Sequence, residues 1–327
     1  MRIGPLVVPN RAFLAPMSGV TDLPFRRLAK RFGAGLVVSE MVACEAALRG
    51  SEEARLRAEG DGLDIHVVQL AGREPAEFAE GVRIAEAAGA HVVDINMGCP
   101  AKRVISGYAG SALMREVDLA LRIIETTVRT ASVPVTLKMR LGWDDGSMNA
   151  PEIASRAEQA GIQLITIHGR TRCQFYKGAA NWSAIRRVKE AVSVPVVANG
   201  DLLRPEDADP MLAASGADAV MIGRGAYGQP WLVGQVGALL AGDDRPAPPV
   251  GEALIELVVE HYEAMLAHYG AAQGLRIARK HLGWYLERFA AAAPTAIRES
   301  ILTSTDSRTV PRLIRAAFDH GAEAVAA

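Results

Sequence analysis

Polar side chains capable of chemistry recur in this sequence directly after short apolar runs. Cys99 lies between Gly98 and Pro100 in the segment DINMGCPAKR, where it can act as a nucleophile or as a proton donor. Lys138 and His168 close two other runs and supply a cation and an imidazole. Because all such residues share one end of their runs, we expect them to form a single site. The full set is Pro16, Met17, Ser18, Glu40, Gln69, Asn96, Cys99, Lys138, Arg140, His168, Arg170, Asn199, Gly200, Asp201, Gly223, Arg224 and Gly225.

The apolar runs that must position this set number eight and are rich in β-branched residues. They are continuous rather than alternating, which is typical of parallel strands covered on both faces. Eight β/α units over about 240 residues match a barrel, and the first turn lacks the glycine-rich loop of a doubly wound sheet. The predicted fold class is therefore α/β, a (β/α)8 TIM barrel followed by a small C-terminal all-helical domain. The predicted strands are Phe13–Ala15, Leu36–Ser39, Ile65–Leu70, Val92–Asn96, Val135–Met139, Leu164–His168, Val194–Ala198 and Ala219–Ile222.

The sequence changes character after residue 240. The segment AGDDRPAPPV is rich in proline and acidic residues and predicts a linker. Beyond it only helical periodicity remains, first in EALIELVVEHYEAMLAHYG, then in GLRIARKHLGWYLERFAAA, and then in two shorter segments. We therefore expect a barrel over residues 1–240, a linker over 241–250 and a helical domain over 251–327.

Composition excludes several classes of protein. With 50% hydrophobic and 22% charged residues the chain is globular rather than disordered. Its three cysteines are widely separated and lack a CxxC pair, which argues against a disulfide scaffold, and no metal-binding motif occurs at the strand ends. No apolar run approaches the ~20 residues of a membrane span, and the N-terminal segment is a poor signal peptide, so a cytoplasmic protein is expected. With a formal charge of −1, any polyanion must bind to local basic patches.

The last two runs carry the most specific signal, a phosphate cradle. ANGD and MIGRGAYG follow predicted strands seven and eight, whose loops form the usual phosphate site of this fold. The segment Gly223–Gly228 also fits GxGxxG, but the context of a dinucleotide site is missing, which favours a mononucleotide. If that mononucleotide is a flavin, Lys138 suits the N1/O2 edge of its ring and Gln69 suits its carbonyl and N–H groups. His168 can reach the phosphate or the ribityl chain.

Nine segments resemble the tRNA-dihydrouridine synthases over nearly the whole chain. They are, in order, APMSGVTDLPFR, VSEM, VQLAG, DINMGCPAKRV, AGSALM, VTLKMRLGW, TIHGRTR, VANGD and MIGRGA. The tail segment RIARKHLGWYL resembles the bacterial B-type subfamily in particular. The resemblance implies an FMN enzyme that uses NADPH, or NADH, to reduce uridine in the D-loop of tRNA, with Cys99 as the catalytic acid. It also implies FMN-binding positions on or beside Met17, Gln69, Lys138, His168, Asn199, Gly200, Asp201, Gly223 and Arg224, to which we add the neighbouring Pro16.

The chemistry of uracil fits these implied roles. Its C5=C6 bond is conjugated to the C4 carbonyl, so hydride from N5 of reduced FMN is expected to add at C6 and a proton at C5. A thiol with an ordinary pKa of ~8.5 is mostly protonated at neutral pH, so Cys99 can supply that proton from the opposite face. The target base must leave the folded tRNA to reach a barrel mouth. The predicted substrate or tRNA contacts at the mouth are Glu40, Asn96, Lys102, Arg140 and Arg170; for each charged one the alternative is a solvated side chain.

A basic face on the tail is the remaining candidate for tRNA binding. Arg276, Arg279 and Lys280 share one helix face by i, i+3, i+4 spacing, and they either bind tRNA or pack the helix. Two other functions stay open: a flavin barrel that reduces a free pyrimidine or enone, and a non-catalytic RNA-binding protein. The basic face argues against the first, and intact Cys99 and Lys138 argue against the second. We expect a monomer whose partner is tRNA, with neither a membrane nor a metal among its partners.

Overall fold

A short antiparallel hairpin precedes the barrel. Its strands are β1 (Arg2–Ile3) and β2 (Leu6–Val7), in a computed structural model that describes residues 1–107 and 109–326. The side chains of residues 103 and 320–326 lie outside that description. Ile3 and Val8 are buried against Phe13 and other side chains from the starts of the barrel strands. The hairpin therefore closes the N-terminal end of the barrel, a feature that the sequence did not predict.

Eight parallel strands form a closed barrel in the order β10-β3-β4-β5-β6-β7-β8-β9. This confirms the predicted fold class, and each strand lies within a few residues of its predicted position. The longest strand, β4, has an irregular register between Val38 and Met41. The strands are β3 (Ala12–Leu14), β4 (Leu36–Ala43), β5 (Val67–Ala71), β6 (Val92–Met97), β7 (Val135–Arg140), β8 (Ile165–His168), β9 (Val196–Asn199) and β10 (Ala219–Ile222).

Helices cover the outside of the strands. The first begins where the Asp22 carboxylate accepts the backbone N–H of Phe25 at 3.0 Å and Pro24 occupies its first turn. The helices of the barrel unit within the described residues are α1 (Leu23–Arg31), α2 (Cys44–Leu48), α3 (Glu52–Ala58), α4 (Pro75–Ala87), α5 (Lys102–Ile105), α6 (Val117–Thr130), α7 (Ala150–Gln159), α8 (Trp182–Lys189), α9 (Ala208–Ser215) and α10 (Leu232–Ala241). Short 3-10 turns occupy Gly110–Arg115, Pro205–Asp207 and Arg224–Ala226.

The chain divides into two compact units. The barrel unit comprises Met1–Gly225 and Leu232–Arg245, and the helical unit comprises Ala226–Trp231 and the described residues from Pro246 onward. The helical unit contains α11 (Glu252–Tyr269), α12 (Ala271–Phe289), α13 (Thr295–Thr303) and α14 (Val310–Ala326). Its buried side chains include Tyr262 and Leu282, and the Tyr227 ring stacks on Trp284 with centroids 3.9 Å apart. No helix in the described parts of either unit is long and apolar enough to cross a membrane.

Candidate active site

A chain of hydrogen bonds joins buried polar side chains on β5, β6 and β7. The Asp94 carboxylate accepts from Gln69 Nε2 at 2.7 Å and from Thr136 Oγ1 at 2.6 Å. Asn96 Nδ2 donates in turn to Gln69 Oε1 at 2.7 Å. The Gln69 amide is thereby fixed in one orientation, because its amino end faces a carboxylate and its carbonyl faces a donor. Burial raises the pKa of Asp94, against the hydrogen bonds from Thr136 and Gln69 and the charge of Lys138.

The loop after β6 holds the backbone of Cys99 from both sides. Asn96 Oδ1 accepts the backbone N–H groups of Cys99 at 3.0 Å and of Gly98 at 3.2 Å. The Cys99 carbonyl accepts from the Ser111 hydroxyl at 2.8 Å and from the Ser111 backbone N–H at 3.1 Å. The partly exposed thiol thus extends from an anchored backbone, and Asn96 connects that backbone to the buried chain of hydrogen bonds.

The Cys99 thiol holds its proton at neutral pH. Burial raises its pKa above the ordinary value of a thiol. The backbone N–H of Ala101 and the nearby charges of Arg140 and Lys138 act in the opposite direction without reversing the shift. Of the two roles predicted for Cys99, the geometry and the charge state favour the proton donor.

Lys138 supplies a cation at the same mouth. Its Nζ donates to Asn199 Oδ1 at 3.0 Å, and Asn199 Nδ2 donates to the Met221 carbonyl at 2.8 Å, so the two side chains orient each other. Burial first, and then the charge of Arg140, lowers the pKa of Lys138 to about 8, although Asp94 acts to raise it. The ammonium group is therefore mostly protonated at neutral pH and readily gives up its proton a little above it.

His168 lies in a positively charged environment. Burial, followed by the charges of Arg140, Lys138, Arg170 and Arg224, lowers its pKa well below the ordinary value. Its Nε2 lies 3.4 Å from Arg170 Nη1. A neutral imidazole among several cations provides donors and a positive potential without adding another charge, which suits an anionic ligand.

Asp201 ties together the loops after β8, β9 and β10. Its carboxylate accepts from Arg170 Nη1 at 2.9 Å, from Arg224 Nη2 at 3.0 Å and from the backbone N–H of Ala180 at 2.7 Å. Burial raises the pKa of Asp201, but the hydrogen bonds from Arg170 and Ala180 outweigh that effect and hold it below the ordinary value. The ionised carboxylate therefore fixes two of the arginines that surround His168.

Glycines allow the backbones of these loops to approach closely. Gly200 has a φ of 120°, in the region that favours glycine. A Cβ at Gly225 would lie 2.3 Å from the Leu202 carbonyl oxygen, so only glycine fits there. A Cβ at Gly223 would lie 3.6 Å from Met17 Sδ, which places the loop after β3 against the loop after β10. Together with the cations around His168, this cradle has the donor set that a phosphate requires.

Arg140 and Arg170 take different positions from those predicted for rim contacts. Each is only 1% exposed. Arg140 donates from Nε to the Gly98 carbonyl at 2.8 Å and from Nη1 to two carbonyls in residues 171–175. Arg170 donates to two carbonyls in residues 177–178 as well as to the aspartate of the cradle. Both arginines therefore brace the loops of the mouth from below.

The other predicted barrel residues take three positions. Pro16 and Met17 are half-buried in the loop after β3. Glu40 is buried, and its carboxylate accepts the backbone N–H of Gly19 in that same loop. Lys102 is exposed at the start of α5. Glu40 thus shapes the loop that carries Met17, whereas Lys102 has the exposure expected of an RNA contact.

The three predicted tail residues lie on α12 of the helical unit. Arg276 is exposed, and Lys280 is half-buried. Arg279 Nη2 donates to the Ser304 carbonyl at 3.1 Å, just beyond the end of α13. Among them, Arg279 therefore has a packing contact within its own unit.

Sequence reasoning missed two members of the buried chain of hydrogen bonds, Asp94 and Thr136. The signal that could have found them is a period of two, since Asp94 precedes Asn96 by two residues and Thr136 precedes Lys138 by two. Side chains at that spacing share one face of a strand. Within the described residues no group of three or more His, Cys, Asp or Glu side chains could hold a metal ion.

Comparison with known proteins places the chain in a family. The family model described as "Dihydrouridine synthase (Dus)" matches residues 13–318. The chain belongs to the dihydrouridine synthase family. This confirms the resemblance found in the motifs, and the matched span covers the barrel and most of the helical unit.

Relatives within the family match over nearly their full length. A probable tRNA-dihydrouridine synthase from Rhizobium leguminosarum bv. phaseoli is 57% identical over 96% of this chain and 97% of its own. The tRNA-dihydrouridine synthase B of Pseudomonas aeruginosa is 46% identical over 94% of this chain and 93% of its own. The second match agrees with the B-type resemblance of the tail.

Solved structures with the same fold are more distant in sequence. Histamine dehydrogenase from Rhizobium sp. 4-9 matches with a TM-score of 0.54 at 14% identity, over 80% of this chain and 50% of that one. An old yellow enzyme homologue from Zymomonas mobilis matches with a TM-score of 0.50 at 16% identity, over 78% of this chain and 94% of that one. At this level of identity the matches show a shared barrel fold.

Proposed function

We propose that this protein reduces uridine to 5,6-dihydrouridine in the D-loop of tRNA, with FMN as its cofactor and NADPH as its reductant. The observation that carries the proposal is the anchored, protonated Cys99, whose backbone is connected through Asn96 to the buried amide of Gln69. Membership of the dihydrouridine synthase family supports it independently. A tRNA substrate also favours a cytoplasmic location.

The residues of the barrel mouth fit FMN. The cradle of Gly200 and Gly225, with His168 and Arg224 beside it, would hold one terminal phosphate. Lys138 would face the N1/O2 edge of the ring, and Gln69 would serve its carbonyl and N–H groups, as Asp94 leaves that amide in one orientation. Bound and reduced, FMN would supply hydride to C6 of the uracil.

Cys99 would complete the reduction with a proton. Hydride addition at C6 places negative charge on C5 and O4, and the thiol of Cys99 would donate its proton to C5. A thiol whose pKa is raised by burial is protonated before the step, as a general acid must be. Asn96 would hold the Cys99 backbone while the proton moves, since it accepts both amides of the loop.

The exposed basic residues would bind the RNA. Lys102 at the mouth and Arg276 on α12 are exposed and suited to phosphate contacts. In the proposed mechanism Arg140 and Arg170 act indirectly by bracing the loops, and Glu40 does so through Gly19. The buried arginines would therefore affect turnover rather than the salt dependence of tRNA binding.

Product analysis tests the proposal directly. The purified protein, supplied with FMN and NADPH, is incubated with unmodified tRNA transcript or with free uridine, and nucleosides are quantified by mass spectrometry. We expect dihydrouridine from the tRNA and little from free uridine, because the exposed basic residues are of use only with RNA. Comparable reduction of free uridine would favour a small-molecule reductase, and a protein that binds tRNA but forms no dihydrouridine in it would favour a non-catalytic RNA-binding protein. Repeating the assay with NADH identifies the preferred reductant, and the flavin released by heat identifies FMN or FAD.

A further inference from the structure

Two arginines and a tryptophan form a cluster on loops at the C-terminal end of the barrel. The Cζ atom of Arg115 lies 4.8 Å from the centroid of the Trp143 ring, and that of Arg172 lies 4.7 Å from it. Arg172 also lies over the Phe175 ring at 5.1 Å. Arg115 is exposed, while Trp143 and Arg172 are half-buried. Two cations thus share one aromatic ring at the surface.

The loops that build this cluster also build the candidate active site. Arg115 ends the 3-10 turn in which Ser111 holds the Cys99 carbonyl. Backbone bonds join the loops after β7 and β8, from Arg172 N to the Gly142 carbonyl at 2.9 Å and from residue 173 to the Trp143 carbonyl at 2.8 Å. The backbone that carries the cluster is therefore hydrogen-bonded to the backbone of the candidate active site.

Neither guanidinium has a partner for its N–H groups among the described residues. In the part of the chain that the structure describes, Arg115 and Arg172 make no side-chain hydrogen bond or ion pair, and the Nε of Arg172 is buried without an acceptor. A cation–π contact uses the face of a guanidinium and leaves its N–H edge for another acceptor. The cluster therefore presents oriented N–H donors for which the described side chains and backbone provide no acceptor.

The neighbouring carboxylates are engaged elsewhere. Glu116 follows Arg115 in sequence, but it accepts from Arg73 at 3.3 Å. Asp144 follows Trp143, but it accepts from the Gly146 amide at 3.1 Å and from the Ser147 hydroxyl at 2.7 Å. Among the described residues, the two positive charges are therefore left without a neutralising carboxylate at contact distance.

We propose that Arg115, Trp143 and Arg172 form a phosphate-binding surface for the RNA backbone of the substrate, and this inference rests on the proposed tRNA activity. Planar guanidinium groups held in place match phosphate oxygens, and the ring fixes them before the RNA arrives. RNA is favoured over an acidic protein because the surface shares its loops with the mouth at which the tRNA base must react. The predicted rim contacts Arg140 and Arg170 are buried, whereas Arg115 is exposed and Arg172 is half-buried, so the cluster offers the more accessible cations.

Salt-dependent tRNA binding tests the surface. The dissociation constant of full-length, flavin-loaded protein for unmodified tRNA transcript is measured against salt for wild type, Arg115→Gln/Arg172→Gln and the control Arg83→Gln/Arg129→Gln, whose arginines lie on α4 and α6. Each lost phosphate contact lowers the log–log slope by about 0.7–0.9. We expect the double variant to lose about 1.4–1.8 in slope. If variant and wild type bind equally at 1 M salt, the variant should then bind roughly 20-fold more weakly than wild type at 0.15 M. The control should keep the wild-type slope.

Further variants separate charge from folding. Arg115→Gln alone changes an exposed side chain and should lose about half of that slope, whether or not the double variant folds. Arg115→Lys/Arg172→Lys keeps both charges and should keep most of the wild-type salt slope. Equal slopes for wild type, Arg115→Gln and the double variant would overturn the RNA surface and point to an acidic protein partner instead. Wild-type protein that fails to bind tRNA at all would overturn the proposed function together with this inference.

Discussion

In the proposed mechanism, the residues at the mouth divide into one that donates a proton and others that hold it in position. Cys99 is the residue to which the proposed chemistry assigns proton donation, and burial raises the pKa of its thiol. Asn96, Gln69 and Asp94 form the support, since each side chain occupies the donors or acceptors of the next. A variant of Cys99 and a variant of Asp94 should therefore fail in different ways.

Cys99→Ala should separate the two half-reactions. It removes the proton donor but none of the residues around the phosphate cradle, so flavin binding and flavin reduction by NADPH should persist. Dihydrouridine formation should fall by about 10²–10⁴-fold, the usual contribution of a general acid. Stopped-flow flavin spectra and tRNA nucleoside analysis measure the two steps, with Cys173→Ala, an exposed thiol, as the matched control. Normal dihydrouridine yield from Cys99→Ala would assign the proton to another group.

Asp94→Asn should disturb the site without touching substrate. The new amide replaces one of the two oxygens that accept from Gln69 and Thr136 with a donor, so one of these two hydrogen bonds must be lost or reversed and the support of Gln69 is weakened. We expect weaker flavin retention and at least a tenfold slower turnover, while tRNA affinity and its salt slope stay unchanged. Flavin dissociation measured by fluorescence, with the exposed Asp118→Asn as control, checks this. An unchanged flavin affinity would show that Gln69 does not depend on Asp94.

The sequence predicted where the polar side chains lie better than which contacts they make. Strand-end positions follow from the apolar runs, so Gln69, Lys138 and His168 could be placed at one mouth. The destination of a long arginine could not be predicted, because Arg140 donates to carbonyls 31 and 35 residues further along the chain and Arg170 to the Asp201 carboxylate 31 residues away. The solvent exposure of each arginine side chain is therefore set by tertiary packing, which the local sequence does not reveal.

At the scale of elements, the strands were predictable and the hairpin was not. Continuous runs of β-branched residues indicate buried parallel strands, and the predicted strand ends lie within a few residues of the observed ones. β1 and β2 have two residues each, too few to show any periodicity. The close backbone approach of the loops after β9 and β10, seen at Gly225, was predictable from their glycines.

Gly225→Ala should deform the cradle. Its Cβ would lie 2.3 Å from the Leu202 carbonyl oxygen, so one of the two loops must move. Such overpacking costs about 1–3 kcal/mol in the free energy of unfolding, and flavin retention should fall with it. Gly146→Ala is the matched control, because its nearest neighbour would lie 3.6 Å away. Thermal melting and flavin content measure both effects, and a variant that keeps wild-type flavin content would show that the loops tolerate the shift.

At the scale of the whole molecule, buried histidines make stability depend on pH. Burial, assisted by the charges of Arg26 and His91, lowers the pKa of His66 to about 4, and burial holds those of His168 and His281 well below the ordinary value. Below about pH 6.5 the unfolded chain binds protons that the folded chain does not, so the free energy of unfolding falls. His66 alone should account for about 2 kcal/mol between pH 7 and pH 5. Chemical denaturation at both pH values measures the loss, and His66→Gln should reduce it; an identical loss in that variant would assign the acid sensitivity to other groups.

The two units of the molecule should divide the work of tRNA modification, and the basic residues of α12 test that division. Arg279 donates to the Ser304 carbonyl, so Arg279→Ala should lower the melting temperature and leave the salt slope of tRNA binding unchanged. Arg276 is exposed, so Arg276→Ala should keep the melting temperature and lower the slope by about 0.7–0.9. Both variants should keep wild-type flavin reduction by NADPH, because the candidate flavin residues belong to the barrel unit. If Arg276→Ala binds tRNA with the wild-type slope, this face of α12 serves packing, and RNA binding depends on other residues.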